Sequence, residues 1–245
     1  MSQEIVLAGL YIGIMLYSVI FHEIAHGWAA LSLGDHTARL LGRLSLRPMS
    51  HIDPFGSVLL PFALMVTTGV GFGYAKPVPY NPYNLRYKEW GEVLVALAGP
   101  LTNFALALVA SVVATLIPLS LATKSAVFGA FMGVLGSGFG EFLNRFGDLA
   151  AAMSGSLGAI FFGLLLIVVF WNAVLGAFNL LPIPPLDGSK VLFQLLSVPD
   201  EWQRMLEQYG FFILLAIIFI PSPITAAIGS FINWFLALFL GIAVM

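Results

Sequence analysis

The chain has 245 residues, of which 60% are hydrophobic and only 9% are charged, and its formal net charge is −2. Soluble domains carry about 25% charged residues, so this composition excludes a soluble globular protein and predicts a polytopic membrane protein. The small net charge gives no support to nucleic-acid binding, and the lack of cysteine excludes disulfides and thiolate zinc sites. Without repeats or low-complexity linkers, we expect one membrane-embedded domain, with a core at about residues 5 to 198 and a C-terminal helical hairpin at about 200 to 245.

The first apolar segment, at about residues 5 to 33, contains the pattern H-E-x-x-H. Residues four apart share one face of an α-helix, so His22 and His26 point the same way. Two neutral imidazoles in this arrangement can hold one zinc ion, and Glu23 on the neighbouring flank can take a proton from a zinc-bound water. Because ionisable residues are costly in a membrane helix and usually functional, the pattern favours a metal site over a chance cluster.

The two histidines need a further ligand, because a catalytic zinc usually has three protein ligands. The remaining candidates are His36, His51 and a few acidic residues. Asp187 is the best of these, since it follows an apolar helix in the proline-broken sequence N-L-L-P-I-P-P-L-D-G. Irregular backbone at membrane depth is tolerated only where it is buried in protein or lines a wet cavity. From the residues alone, a role as N-cap of the next helix is equally well supported for Asp187.

The segment that follows the first helix is predicted to be irregular. Residues 38 to 47 alternate in a way that suits short strands, and an exposed strand edge there could bind an extended peptide by β-addition. The alternative is a plain loop whose arginines contact lipid headgroups. Residues 54 to 72 are apolar but contain prolines and glycines.

The apolar residues 54 to 72 either re-enter the membrane or cross it. One metal requires the C-terminal ends of the first helix and of the helix at about 158 to 181 to meet at one depth, so these helices run parallel. The helix at about 91 to 119 gives one crossing between them, which makes 54 to 72 re-entrant; the alternative is that 54 to 72 and 125 to 140 both cross. The re-entrant arrangement places eight of the ten Lys and Arg residues on one side. Because Lys and Arg favour the cytoplasm, we prefer it, with the active site toward the cytoplasmic side.

Polar residues of the later helices are further candidates. Gly99 and Asn103 lie four apart on the middle helix and are predicted to pack next to the site. Asn172 and Asn179 lie seven apart on one helical face and form a polar stripe on an otherwise apolar helix. Asn172 either extends this polar stripe or is a helix-packing amide. His51 could belong to a second polar cluster or a gate, although a structural role is favoured.

Together these motifs resemble the site-2 protease family of intramembrane zinc metalloproteases. The resemblance covers about residues 15 to 195 and rests on H-E-x-x-H in a first core helix, N-x-x-P-x-x-P-L-D-G after a later one, and G-x-x-x-N between them. The chain looks like the compact prokaryotic branch without a PDZ or CBS domain. The resemblance implies one Zn²⁺ per chain on His22, His26 and Asp187, with Glu23 as general base. It also implies that Asn179 faces the scissile peptide, where it could donate a hydrogen bond to the developing oxyanion.

The predicted fold is therefore an all-α polytopic membrane protein with about five to six transmembrane helices. A small β or re-entrant segment is expected between the H-E-x-x-H helix and the next core helix. The predicted function is that of an intramembrane zinc metalloprotease, with a transmembrane protein substrate and the lipid bilayer as partners, in a prokaryotic plasma membrane. The alternatives are a membrane metal transporter, which would tend to show paired repeats, and an inactive protease-like binder of membrane helices, against which the intact Glu23 argues.

Overall fold

The computed structural model describes residues 3–68, 73–137, 141–220 and 223–244, and within these ranges the chain forms ten α-helices and no strand. Short helical turns of other types occur at Pro48–Ser50, Pro54–Leu59 and Pro82–Asn84. The α-helices are α1 (Gln3–Ser32), α2 (Thr37–Leu40), α3 (Leu60–Thr68), α4 (Gly91–Leu116), α5 (Leu121–Leu135), α6 (Phe142–Met153), α7 (Leu157–Asn179), α8 (Gly188–Leu195), α9 (Asp200–Phe219) and α10 (Pro223–Val244).

Four of the described helices, α1, α4, α7 and α10, are long and apolar enough to cross a membrane. The predicted class, an all-α polytopic membrane protein, is confirmed, but the expected number of spanning helices was five to six. The apolar segments Pro54–Leu64 and Leu121–Leu135 are shorter. A hydrocarbon core of about 30 Å needs roughly 20 helical residues, a length that these two segments do not reach.

Helices α1, α4 and α7 form the unit that carries the histidines. In α4, Val95 lies beside His26 and Asn103 lies beside Ser18, so α4 runs antiparallel to α1. The N-terminus of α7 lies at the C-terminal end of α4, so these two helices are antiparallel as well. Helices α1 and α7 are therefore parallel, as the sharing of one metal by their C-terminal ends requires.

The main hydrophobic core lies toward the other end of this unit, away from the histidines. Its largest fully buried side chains include Phe131, Phe146 and Phe162, from α5, α6 and α7. Helix α10 closes the core by packing along α4 and α7: the Ser111 hydroxyl donates to the Phe239 carbonyl oxygen at 2.9 Å, and the Phe104 and Phe235 rings stack at 4.7 Å. This packing holds α4 and α7 together at this end of the molecule. The opposite ends of α1, α4 and α7 meet at the polar cluster that contains the histidines.

The prediction of strands at residues 38 to 47 was wrong, because this part of the chain is a short helix followed by turns. Asp35 accepts hydrogen bonds from the backbone N–H and the hydroxyl of Thr37, which starts the helical turn α2. Gly42 then takes a positive φ of 64°, which reverses the chain. The alternating leucines and arginines therefore lie on a folded loop, and residues 38 to 47 offer no strand edge to a substrate.

The apolar segment that begins at Pro54 returns to the place where it starts. The Lys76 N–H donates to the His51 carbonyl oxygen at 2.9 Å, and the Tyr74 N–H donates to the Gly56 carbonyl oxygen at the same distance. The two flanks of the segment therefore lie side by side, which favours the re-entrant arrangement over a crossing. Residues 69 to 72 of this segment, and 138 to 140 of the alternative crossing, lie outside the described residues.

Candidate metal centre

The two histidines of α1 point at each other across one helical turn. Their Nε2 atoms lie 3.0 Å apart, and both side chains are buried. The Nδ1 atom of His26 lies 2.8 Å from the carbonyl oxygen of Val95. Because a carbonyl oxygen can only accept a hydrogen bond, this Nδ1 carries the proton and the Nε2 atom keeps a free lone pair.

A chain of buried side chains fixes the ring of His22 in the same way. Its Nδ1 atom lies 2.6 Å from Oδ1 of Asn103, whose amide nitrogen donates to Oδ1 of Asn172 at 2.8 Å. The Asn172 amide nitrogen in turn donates to the hydroxyl of Ser18 at 2.9 Å. Since the Asn103 nitrogen is used as a donor, its oxygen faces His22 and accepts the Nδ1 proton. Asn103 and Asn172 therefore orient the ring of His22. The sequence had predicted only helix packing next to the site for Asn103.

Asp187 completes the cluster from the loop after α7. Its Oδ2 atom lies 3.1 Å from Nε2 of His22 and 3.4 Å from Nε2 of His26. This oxygen is buried and has no hydrogen-bond partner, and the side chain makes no capping bond to α8. The geometry therefore goes against the N-cap alternative that the sequence left open.

The three facing atoms fit a zinc ion. Two unprotonated imidazole nitrogens and a carboxylate oxygen all act as acceptors, and they repel one another unless a cation lies between them. Tetrahedral zinc with nitrogen and oxygen ligands separates neighbouring ligand atoms by about 3.3 Å, as follows from bond lengths near 2.0–2.1 Å. The observed separations of 3.0, 3.1 and 3.4 Å match this spacing. Among the described residues, His22, His26 and Asp187 form the one group of this kind.

Gly99 allows the backbone of α4 to cover the two histidines. A Cβ atom at this position would lie 2.5 Å from Cε1 and Nε2 of His26 and 2.6 Å from Cε1 of His22. Real Cβ atoms do not approach other atoms so closely, so a larger residue would displace a ring. The predicted location of Gly99 next to the site agrees with this contact, and the contact explains why the position holds glycine.

Glu23 contacts a segment of the chain that the sequence did not connect with it. Its Oε2 atom accepts a hydrogen bond from the backbone N–H of Val78 at 2.8 Å. Val78 stands between two prolines, which have no N–H, so it is the donor that this stretch can offer. Arg43 also holds this segment, because its Nη2 atom donates to the carbonyl oxygens of Lys76 and Pro77 at 2.8 and 3.2 Å.

Two other predicted residues do not join the cluster in this structure. Asn179 is the last residue of α7, and its amide nitrogen donates to the Leu175 carbonyl oxygen of its own helix at 2.9 Å. His51 is buried, and its Nε2 atom lies 2.7 Å from the carbonyl oxygen of Ser45 in the neighbouring loop. The roles proposed for these residues near the substrate therefore stay predictions.

An ion cluster next to Asp187 ties its loop to two other helices. Lys190 in α8 lies 3.1 Å from Oε2 of Glu92 in α4 and also pairs with Glu207 in α9. Burial alone lowers the pKa of the Lys190 ammonium, but Tyr80 and the two carboxylates together raise it above its usual value. Lys190 is therefore a fixed cation. This cluster was missed at the sequence level, where Lys190 counted only toward the charge of one membrane side.

Comparison with known proteins gives consistent results. A family model described as Peptidase family M50 matches residues 10–217. YwhC of Bacillus subtilis (strain 168), a candidate zinc metalloprotease by its name, is 33% identical over 222 residues, which are 90% of this chain and 82% of YwhC. Rip2 of Mycolicibacterium smegmatis, with the same designation, is 30% identical over 211 residues, or 84% of this chain and 65% of Rip2. Rip2 of Mycobacterium tuberculosis (strain H37Rv) is 28% identical over 226 residues, which are 90% of this chain and 71% of that Rip2. No solved structure matches the chain.

Proposed function

The chain belongs to peptidase family M50, the site-2 protease family, and from this premise we propose that it hydrolyses a peptide bond in or near the transmembrane segment of a membrane-protein substrate. The observation that carries the proposal is the cluster of buried His22 and His26 with partly buried Asp187, which lies between helices long enough to span a membrane. From His26 to the end of α1 at Ser32 is six residues, or ~9 Å at 1.5 Å per residue. The site thus lies inside the bilayer, close to one surface.

His22, His26 and Asp187 would hold one zinc ion per chain. When bound, zinc supplies a Lewis acid that lowers the pKa of a water molecule toward ~7 and polarises a carbonyl group. The hydrogen bonds from Nδ1 of His22 to Asn103 and from Nδ1 of His26 to Val95 fix both rings with Nε2 toward the metal position.

Glu23 would act as general base and then as general acid. It follows His22 in sequence and therefore lies on the adjacent flank of α1. One of its oxygens accepts the hydrogen bond from Val78, which positions the carboxylate. A carboxylate has further lone pairs, so Glu23 can still accept the proton of the attacking water and return it to the leaving amine.

Asn179 would donate a hydrogen bond to the oxygen of the scissile carbonyl group. One N–H of its amide is used within α7, and the amide has a second N–H for this purpose. Because a transmembrane helix satisfies its own backbone hydrogen bonds, the substrate must unwind locally before its carbonyl reaches this group.

The whole chain would act as one domain, with α9 and α10 as a helical hairpin beside the catalytic unit. A small apolar cluster supports this arrangement, because Leu181 and Leu186 around the Asp187 loop pack with Leu214 of α9 and Ile228 of α10. We place the protein in a prokaryotic plasma membrane with its active site toward the cytoplasm, since exposed cations collect at that end and its relatives are bacterial.

The test starts in cells and ends with purified protein. Membrane proteins of cells with the wild-type chain are compared with those of cells carrying Glu23→Gln, and an uncut single-span substrate is expected to accumulate in the variant. The purified wild-type enzyme should cut that substrate within its membrane segment, lose activity with a zinc chelator, and regain it with added zinc. Cut sites that all lie outside the membrane segment, or cleavage that persists after the zinc is removed, would contradict the proposal.

A further inference from the structure

Exposed basic side chains collect at the end of the molecule that carries the metal cluster, and they lack acidic partners. None of them forms an ion pair with a carboxylate of the described residues, although the same chain pairs Arg145 at the opposite end with Glu141 and Asp148 at 3.3 and 3.4 Å. Five positive charges outnumber the one exposed carboxylate among them, Glu89, and favour a negatively charged partner. These exposed residues are Arg39, Arg47, Lys76, Arg86 and Lys88.

Large apolar and aromatic side chains are exposed among these cations. Leu40, Met49 and Tyr83 are 82%, 81% and 78% exposed, so none of the three packs into the protein core. Exposing leucine, methionine and aromatic side chains to water alone is unfavourable. Together with basic residues, such side chains are typical of a surface that lies in the headgroup region of a membrane. The other exposed apolar side chains of residues 36–50 and 81–90 are Leu41, Leu46, Tyr87 and Trp90.

The two loops that carry most of these residues, 36–50 and 81–90, are joined into one body that we name the collar. Asp35, which is fully buried, accepts hydrogen bonds from Thr37 in one loop and from the Asn81 backbone and the Asn84 amide in the other, at 2.7, 2.8 and 2.9 Å. The Arg86 N–H also donates to the Leu33 carbonyl oxygen at 2.8 Å. Burial raises the pKa of the Asp35 carboxyl, but these hydrogen bonds lower it below its ordinary value. The collar is therefore pre-organised around a fixed negative charge.

The position of the collar follows from the helices that it joins. The loop 36–50 begins four residues after α1 ends at Ser32, and the loop 81–90 ends where α4 begins at Gly91. Both helices are long and apolar enough to span the membrane, which puts the collar where they would leave the hydrocarbon region. We propose that the collar binds the headgroups of anionic phospholipids of the surrounding bilayer. An acidic soluble protein would match the charges but not the exposed leucines and methionine, whereas an anionic lipid matches both.

Arg39 and Arg47 are the most direct contacts in this proposal. Both are exposed, and the guanidinium of neither makes a hydrogen bond among the described residues. Arg43 between them differs, because its guanidinium donates to the carbonyl oxygens of Lys76 and Pro77 and so stabilises the protein itself. Each basic residue near an anionic membrane surface strengthens binding to that surface by about fivefold. The loss of lipid binding on removal of both arginines should therefore be large enough to measure.

The test measures lipid preference at the collar and does not depend on proteolysis. Because the chain has no cysteine, the variant Met49→Cys carries a single fluorophore in the collar, and Leu157→Cys carries one at the opposite end of the molecule. The labelled proteins are placed in phosphatidylcholine–phosphatidylglycerol vesicles. Quenching by spin-labelled phosphatidylglycerol is compared with quenching by spin-labelled phosphatidylcholine at equal mole fraction.

We expect phosphatidylglycerol to quench the collar fluorophore several-fold more strongly than phosphatidylcholine, with no such preference at position 157. The double variant Arg39→Gln, Arg47→Gln should remove most of this preference, because each arginine lost weakens headgroup binding by about fivefold. Arg39→Lys, Arg47→Lys should keep it, and the matched control Arg145→Gln should leave it unchanged.

Three results would overturn the proposal. The first is equal quenching by the two lipids at the collar of the labelled Met49→Cys protein whose arginines are unchanged. The second is a preference that survives in a folded Arg39→Gln, Arg47→Gln protein. The third is displacement of the lipid by a soluble poly-glutamate peptide at low concentration, since this would identify an acidic protein segment as the partner. If the glutamine variant does not fold, loss of the preference in the lysine variant would contradict a role for the charge.

Discussion

Replacing Gly99 by alanine tests whether the backbone of α4 sets the distance between the two histidines. The new Cβ atom would lie 2.5 Å from His26 and 2.6 Å from His22. Carbon atoms in contact are ordinarily about 3.5–4.0 Å apart, so one ring or the helix must move by about 1 Å. Overpacking of this kind costs about 1–3 kcal/mol, and a displacement of ~1 Å at a catalytic group can cost about 10² in rate.

The assay measures zinc affinity by chelator competition and the rate of substrate cleavage on one preparation of Gly99→Ala. We expect zinc to bind at least tenfold more weakly, because about 1.4 kcal/mol of strain in the bound geometry corresponds to that factor. The matched control is Gly13→Ala in α1, where a Cβ atom would have no neighbour within 4 Å. Wild-type zinc affinity and cleavage in Gly99→Ala would refute the close approach of α4 to the histidines.

Three further predictions follow from the same geometry. Asn103→Ala should lower metal affinity about 10–100-fold, because the Nδ1–H group of His22 loses its hydrogen-bond acceptor. Unchanged affinity in chelator competition would contradict this. Asn179→Ala should keep its zinc while its cleavage rate falls by about 10²–10³, and loss of metal in proportion to rate would instead indicate a packing role. In single-cysteine variants, positions Met49 and Tyr83 should react with an impermeant reagent from the cytoplasmic side and Leu157 from the other; labelling of the first two from opposite sides would mean that the segment between them crosses the membrane.

The local part of the site could be predicted from the sequence, because a spacing of four residues on a helix determines which side chains share a face. His22 and His26 lie together for this reason alone. Asp187 is distant in sequence, and no spacing rule connects it with them. It was a candidate because of its proline-broken segment after an apolar helix and because of the family resemblance. A metal shared with the histidines then required α1 and α7 to run parallel, and the structure has this arrangement.

The rest depends on contacts between distant segments that a single sequence does not reveal. The loop at residues 38 to 47 alternates like a strand, but the hydrogen bonds of the Asp35 carboxylate and the reversal at Gly42 outweigh this local pattern. The bond from Val78 to Glu23 likewise joins residues far apart in the chain, and its one sequence signal is a lone N–H donor between two prolines. Of the network from Ser18 through Asn172 to Asn103, the sequence suggested only a polar stripe of Asn172 with Asn179 and a packing role for Asn103.

Metal content and cleavage measured on the same preparations of Glu23→Gln and Asp187→Ala test the central claim most directly. If three side chains hold the zinc and Glu23 only transfers protons, Glu23→Gln should contain one zinc per chain and fail to cut. Asp187→Ala should contain much less zinc and also fail to cut, because it has lost a ligand. Cleavage by Glu23→Gln at the wild-type rate, or full zinc content with activity in Asp187→Ala, would contradict the account.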